Sequence, residues 1–410
     1  MSERADHHRL LRTRDGHHAR VGFVELFFDL VFVFAITQIS HTLLANLTWL
    51  GALQAAMMTA AVWWAWIYTS WVTNWLDPER VPVRLCLVAL MASGLLLSTS
   101  LPQAFVQKGL WFAIAYVLSQ AGRSAFMLWA ARDDRVLVAN FQRILCWQGL
   151  TGAAWIGGAL IEGEGRMAVW LVALALDYAG PALEYRVPGL GRANTGDWTV
   201  EGGHMAERVG LFIIICLGES LLVTGATFAA TAWTLQTVLA ATSAFVGTLA
   251  MWWLYFSRAH DAASEVISHA DDPGSLARRA YTYSPIVIVA GIIVTAVGDE
   301  LSLVHPSGPV GAAMVLVLVG GPVLFMLGTL LAKLAVFGRW SGARLLGTAL
   351  LLGLGAVALA VSAQTPPAQT LPALTPLMVA GASTAILILV AAVEGGGSPA
   401  GRSDGDASAA

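Results

Sequence analysis

Val21-Gly22-Phe23-Val24-Glu25-Leu26-Phe27-Phe28-Asp29-Leu30-Val31-Phe32-Val33-Phe34-Ala35-Ile36 opens the first long apolar run of the chain, which continues to Leu44. Such a run exceeds the ~20 residues that an α-helix needs to cross a ~30 Å hydrocarbon core. It is too long and too charged for the apolar core of a signal peptide. We read it as a first transmembrane span that stays in the membrane. It carries two carboxylates, Glu25 and Asp29, at i and i+4. Helical geometry sets them ~40° apart on one face. Ser40 lies near that face, whereas Gln38 and His41 fall roughly opposite.

The whole composition agrees with this reading. Hydrophobic residues make up 57% of the 410-residue chain and charged residues only 12%. Soluble domains carry roughly 25% charged residues, so this chain lacks the charge to cover a water-facing surface. A bilayer removes that need. Further apolar runs follow at about 51–74, 83–101, 109–131, 139–160, 167–186, 205–228, 234–257, 282–303, 309–333, 343–361 and 371–393, each long enough to span. The expected architecture is all-α, a polytopic bundle of about twelve spans. Residues 1–20 read as a cytoplasmic tail, 21–393 as the membrane domain, and the Gly/Ser/Ala/Asp-rich stretch 394–410 as a disordered tail.

Loop charges test the count. With twelve spans and both termini cytoplasmic, eighteen Lys/Arg fall inside and two, Lys108 and Arg166, outside. The bias alternates loop by loop, as the positive-inside rule requires. Arg123, Arg143 and Arg208 remain within spans or at their ends. A faint internal similarity accompanies this pattern. Arg20-Val21-Gly22-Phe23 is echoed by Arg208-Val209-Gly210-Leu211, and Trp63-Trp64-Ala65-Trp66-Ile67-Tyr68 by Trp252-Trp253-Leu254-Tyr255, at an offset near 188. Two readings stand: two six-helix repeats (21–186 and 205–393), or chance combined with the Trp/Tyr enrichment of membrane interfaces.

Ionisable groups inside spans are costly and default to functional hypotheses. Asp29, Arg123 and Asp177 would lie roughly 12–14 Å in from the cytoplasmic side, and Glu219 somewhat deeper. Glu25, Glu207, Arg143 and Arg208 lie nearer the interface. Five acids then face three bases. Two negative charges are left over, which a low-dielectric site holds only as protonated acids, with a bound cation, or beside water. The bland alternative makes these charges structural ties, with Glu25, Glu207 and Arg143 snorkelling to the interface. Gln38, His41, Asp299, Glu300 and His305 would form a second, outer-face group.

Other features exclude more than they assign. No basic stripe or RNA-binding signature points to nucleic acid. The two lysines, Lys108 and Lys333, fall in a loop and at a span end, which disfavours a retinal-type Schiff base. Cys86, Cys146 and Cys216 are isolated and read as small packing residues rather than a disulfide or zinc set. His7-His8 and His17-His18 sit on an Arg-rich tail, a weak setting for metal, so neither metal nor cofactor is expected. The tryptophans ending spans two and eight read as an interfacial belt or core packing. No GxxxxGK[ST] or HExxH occurs, and the GxSxG string at Gly401–Gly405 lies in the Gly/Ser/Ala/Asp-rich terminal stretch rather than in a nucleophile elbow, which argues against an ATP-driven pump, a serine hydrolase of that type and a zinc protease.

Glu25-Leu26-Phe27-Phe28-Asp29-Leu30-Val31-Phe32-Val33-Phe34-Ala35-Ile36-Thr37-Gln38, with Ser40-His41, resembles the opening signature of the bacterial low temperature requirement A family. His204 with Glu207-Arg208-Val209-Gly210-Leu211-Phe212 and Leu217-Gly218-Glu219-Ser220 resembles its second signature. Asp177-x-x-x-Pro181 and Gly298-Asp299-Glu300 with His305-Pro306 are similar to further family positions. One departure is Tyr283-Ser284-Pro285-Ile286, where similar members tend to carry a His. The resemblance implies a bacterial inner-membrane protein linked to growth in the cold, with no settled substrate or reaction.

Three functions are then weighed. The first is a secondary transporter or proton/cation-handling protein, with Glu25, Asp29, Arg123, Asp177, Glu207, Arg208 and Glu219 as its site. The second is a membrane enzyme acting on a lipid-like substrate, its site assembled from the outer-face group. The third is a non-catalytic stress-adaptation component. The expected partners are the lipid bilayer, a proton or cation, a small-molecule substrate and further copies of the chain.

Overall fold

A computed structural model of the chain describes residues 10–12, 20–193, 200–256, 266, 273–364 and 374–396. The His7-His8 and His17-His18 pairs and residues 397–410 lie outside the described residues.

Among the described residues the structure has twelve long helices and no strand. They are α1 (Phe23–Ala45), α2 (Trp49–Trp75), α3 (Val81–Ser100), α4 (Gly109–Ala130), α5 (Arg135–Ala159) and α6 (Glu164–Ala182). Then follow α7 (Gly202–Ala230), α8 (Leu235–Tyr255), α9 (Ser284–Val304), α10 (Ala312–Phe337), α11 (Gly342–Gln364) and α12 (Pro376–Gly396). A π-helical turn, Arg278–Tyr283, leads into α9. Each helix overlies an apolar run expected from the sequence.

Nine of these helices are long and apolar enough to cross a membrane. The other three, α4, α5 and α6, have the length but a more polar composition: α4 alone carries Ser119, Gln120, Arg123 and Ser124. All four of those side chains are buried.

Polarity runs inside-out, as a hydrocarbon solvent demands. Along α1, Phe23, Phe27, Leu30 and Phe34 form an exposed stripe, while Glu25 and Asp29 are fully buried. A water-soluble bundle would reverse the two faces.

Local signals set the helix ends. Thr48, Asp134 and Thr234 accept backbone N–H bonds at the starts of α2, α5 and α8. Gly338 ends α10 at φ 65, a left-handed conformation that glycine adopts without penalty. The tightest crossing joins α9 to α10. A Cβ on Gly291 would collide with the backbone of Phe325, and one on Gly321 with the backbone of Thr295. Small residues at a helix crossing let two backbones approach, the main source of packing energy in lipid.

Neighbours follow a similar succession in each sextet. α1 packs on α2 and α3, and α3 to α6 then pack in series. α7 packs on α8 and α9, and α9 to α12 then pack in series. α1, α7 and α9 touch one another across the centre, with α2 against all three.

Two boundaries differ from expectation. The tail read as loose contributes Leu10–Arg12, which dock on the end of α2: Arg12 N donates to Trp75 O at 2.8 Å and Asp77 N to Leu10 O at 2.9 Å. At the other end, Glu394 is no tail residue. It belongs to α12 and accepts from Lys333 Nζ (2.8 Å), Ser341 Oγ (2.7 Å) and Arg344 Nη2 (2.8 Å). Three polar groups on α10, α11 and the turn between them hold that helix end in place.

Candidate functional site

The starts of α1 and α7 meet the end of α2, and their polar residues form one buried network. Asp29 and Arg208 make a two-pronged ion pair, with Arg208 Nη1 2.9 Å from Oδ2 and Nη2 2.9 Å from Oδ1. Trp66 Nε1 donates to Asp29 Oδ1 at 2.7 Å. Arg208 also reaches Ser70 Oγ at 3.3 Å and lies 5.6 Å from the Trp66 ring centre. Asp29 and Arg208 are fully buried. Planar forks of this kind match carboxylate geometry and are the strong class of charged hydrogen bond.

One turn closer to the bundle end sits Glu25, also fully buried. Its Oε2 lies 3.2 Å from Arg12 Nη2 and accepts from Gly22 N at 2.9 Å. Its Oε1 is 3.1 Å from His204 Nε2 and 3.9 Å from Arg208 Nε. Asn74 fixes the histidine. Glu201 N donates to Asn74 Oδ1, which orients the amide so that Nδ2 donates to Glu201 O and faces His204 Nδ1 at 3.3 Å. On its other side His204 Nε2 lies between Glu25 Oε1 at 3.1 Å and Arg12 Nη2 at 3.2 Å.

The charge balance differs from the sequence expectation here. Arg12, assigned to the tail, enters the network as a cation, so two arginines meet Glu25 and Asp29. Arg143, counted in the belt, leaves it: it donates to Leu190 O (2.7 Å) and Asn140 Oδ1 (2.9 Å) at the periphery. Arg166, read as a loop charge, is a buried lock in the first turn of α6, donating to the carbonyls of Ala104, Val106, Ala159 and Ile161.

A second network lies across α2. Arg123 of α4 is fully buried and donates to Ala65 O (3.1 Å), Thr69 Oγ1 (3.2 Å) and Gln120 Oε1. Its guanidinium lies 5.2 Å from the Tyr68 ring centre. Gln120 Nε2 is 3.4 Å from Tyr116 Oη, which donates to Asp177 Oδ2 at 2.9 Å. Trp155 Nε1 also donates to Asp177 at 2.9 Å. Arg123 and Asp177 are thus joined through two neutral side chains rather than in direct contact.

Glu219, in the middle of α7, stands apart. Thr37 Oγ1 of α1 donates to its Oε1 at 2.7 Å. Among the described residues no Lys, Arg or His lies within ion-pair distance of Glu219, and it is only half-buried. Glu207 accepts from Val21 N at 3.2 Å, near the bundle end.

The five outer-face residues are not joined to one another. Gln38, Asp299 and Glu300 are half-buried, and His41 and His305 exposed. No side-chain hydrogen bond or ion pair joins these five among the described residues, and Asp299 Oδ2 is a buried acceptor with no partner. Among the described residues no three His, Cys, Asp or Glu converge.

Sequence reasoning missed several members: Arg12, Trp66, Ser70, Asn74, Tyr116, Gln120 and Trp155; His204 was singled out only as part of a signature. Two signals were available. Trp66, Ser70, Thr73 and Asn74 form a polar row at helical spacing on α2, and Tyr116, Gln120 and Arg123 do the same on α4. The tryptophans of α2 form no belt: Trp63, Trp64 and Trp66 are buried, whereas Trp252 and Trp253 of α8 are exposed as interfacial residues would be.

Comparison with known proteins agrees with this architecture. A family model described as "Bacterial low temperature requirement A protein (LtrA)" matches residues 20–392. The chain is 39% identical over 329 residues to an uncharacterized protein of Rhizobium meliloti (strain 1021), an alignment covering 80% of each chain. No solved structure matches. Spanning nearly the whole described bundle and, Arg12 apart, both polar networks, the family match shows that this chain belongs to the bacterial low temperature requirement A proteins, helical proteins of the membrane.

Proposed function

We propose that the protein is a secondary transporter that moves a proton or small cation across the bacterial inner membrane, with Glu219 as the exchangeable acid. The observation that carries this reading is the contrast between Glu219 and its neighbours. Glu25 and Asp29 are held by arginines in direct contact, and Asp177 has three neutral donors around it or within its chain. Glu219 has a single hydroxyl and, among the described residues, no cation within ion-pair distance. A carboxylate at mid-helix depth in a bilayer is costly unless it is protonated, meets a cation or is reached by water.

In this reading all twelve helices span, because α4, α5 and α6 hide their polar residues inside the bundle. Both termini are cytoplasmic, as the arginine distribution favours. The similar succession of neighbours in α1–α6 and α7–α12 supports two six-helix repeats, with Glu219 near the seam between them. Asp29–Arg208 is the inner anchor of that seam. The substrate coupled to the ion, a role in cold or stress growth, and assembly with further copies belong to the same proposal.

The test uses purified full-length protein in sealed liposomes with a trapped pH-sensitive dye, under imposed K⁺, Na⁺ and H⁺ gradients. Wild type is expected to carry a flux that Glu219→Gln abolishes while retaining the wild-type melting temperature. Flux of equal rate in Glu219→Gln would remove Glu219 from the mechanism.

A further inference from the structure

At the end of the bundle that holds His204, a separate cavity lies between α2, α5, the end of α6 and the π-helical turn. It has a volume of ≈ 40 Å³ and is lined almost wholly by apolar surface. A single water needs roughly 10–15 Å³ and two or more polar partners. The space is large enough for about three waters but lacks the partners to hold them. Apolar cavities of this kind stay dry and take apolar guests.

Three irregularities of the backbone converge on its walls. Glu184 (φ 54) and Tyr185 (φ 47) are the non-glycine residues at positive φ among the described residues, and both line the cavity. Such conformations cost on the order of 1 kcal/mol or more each and persist only where the surroundings enforce them, commonly at ligand clamps. The described π-helical segment, Arg278–Tyr283, supplies the facing wall through Arg278 and Thr282. π-Helical turns are rare and frequent at functional sites. Each feature is locked. A Cβ on Gly180 would strike the Tyr185 ring, so only glycine leaves that ring its place. Thr282 accepts Trp63 Nε1 on its carbonyl (2.7 Å) and Trp71 Nε1 on its hydroxyl (3.0 Å), which fixes Trp71 in the wall.

Charge at the rim is one-sided. Glu184 is matched by Arg192 at 3.3 Å. Arg278 Nη1 donates to Pro181 O at 2.8 Å, and the guanidinium makes no ion pair among the described residues. Among the described residues, Arg278 is therefore the rim cation without an acidic partner.

We propose that this cavity is a binding site for a monoanionic amphipath, its apolar chain or ring lodged against Tyr68, Trp71, Trp75 and Ile144 and its anionic group on Arg278. An apolar cavity that holds a whole benzene ring measures ~150 Å³; at ≈ 40 Å³ this one takes part of a chain or ring, with the remainder leaving through the mouth. Tyr68 also covers the Arg123 guanidinium from its other side, so a guest here touches the wall of the second buried network. The proposal is independent of Glu219.

The test is equilibrium binding of radiolabelled oleate and of radiolabelled benzoate to the full chain in nanodiscs, with the corresponding alcohols as neutral controls. Wild type is expected to bind at least one anion saturably and its alcohol more weakly. Oleate alone would indicate a membrane-derived fatty acid, and benzoate a soluble aromatic acid; either supports the site. Ile144→Trp, which fills the slot, should abolish binding. Arg278→Gln should weaken anion binding about tenfold or more, the scale of a charge-assisted hydrogen bond, while Arg278→Lys retains most of it. Failure of folded wild type to bind either anion saturably, or wild-type binding by Ile144→Trp, overturns the site. Unchanged anion binding by Arg278→Gln overturns the anionic assignment.

Discussion

Removing the cation from the Asp29–Arg208 pair should destabilise the bundle more than any single change at Glu219. Both partners are fully buried; Arg208 Nη1 donates to Asp29 Oδ2 at 2.9 Å, and Nη2 lies 2.9 Å from Oδ1. Arg208→Met leaves Asp29 with Trp66 Nε1 as its remaining side-chain donor, a stranded acid in a low-dielectric site. Breaking a buried pair on one side typically costs about 3–5 kcal/mol. At roughly 2 °C per kcal/mol or somewhat less for a chain this large, the melting temperature should fall by about 5 °C or more. Asp29→Leu strands Arg208 in turn, with Ser70 and the Glu25 oxygen at 3.9 Å as partial compensation. The double variant Asp29→Leu/Arg208→Met removes both charges, so its loss should fall short of the summed single losses by about 2 kcal/mol or more. The assay is fluorescence-detected size-exclusion after heating, with all variants in one detergent. Glu219→Gln serves as the contrast and should stay within about 2 °C of wild type, because the amide oxygen still accepts from Thr37. Additive single losses would refute the assignment of a directly coupled pair.

Two further outcomes follow from the packing and from the docked tail. Gly291→Val should destabilise by about 1–3 kcal/mol or prevent folding, because its Cβ meets the Phe325 backbone rather than a side chain able to move; monodispersity after heating reads this directly. Arg12→Gln should lower stability by about 1–3 kcal/mol through the loss of a charged bond to buried Glu25. Combined with His204→Ala it should be non-additive, since both side chains contact the same carboxylate.

Much of this fold was legible because lipid imposes a simple code. Any stretch of about 20 apolar residues must be a helix, since no other open structure satisfies its backbone in hydrocarbon. That alone places nine of the twelve helices; α4, α5 and α6 are more polar. The site was legible only in part. Glu25, Asp29, Arg208 and Glu219 announce themselves as charges in apolar runs, and the structure brings all four to the α1–α7 seam. Partners came from segments whose sequence carries no such warning. Arg12 lies in a polar tail where five arginines look alike, and only the pairing of Leu10–Arg12 with the end of α2 singles it out. Trp66 has the composition of an interfacial aromatic, yet its indole N–H is a donor to Asp29. Matched depth could not distinguish direct contact from contact through Gln120 and Tyr116, the route by which the structure joins Arg123 to Asp177.

The arrangement around α2 constrains how the proposed transport could work. Trp66 and Ser70 face Asp29–Arg208, while the adjacent Ala65 and Thr69 hold Arg123 on the opposite side. One buried helix therefore stands between two charge networks, and displacing it would disturb both at once. The α1–α7 seam offers an easier motion. It is stitched at Asp29–Arg208 by a two-pronged ion pair and, eight residues further along α1, at Thr37–Glu219 by one hydroxyl. Those points are ~12 Å apart along the helix axis. On the proposed reading, occupation of Glu219 by a proton or cation changes only the weaker stitch. Loss of the charge turns a charge-assisted bond into a neutral one at that point alone, so the ion pair, α2 and its second network stay in place.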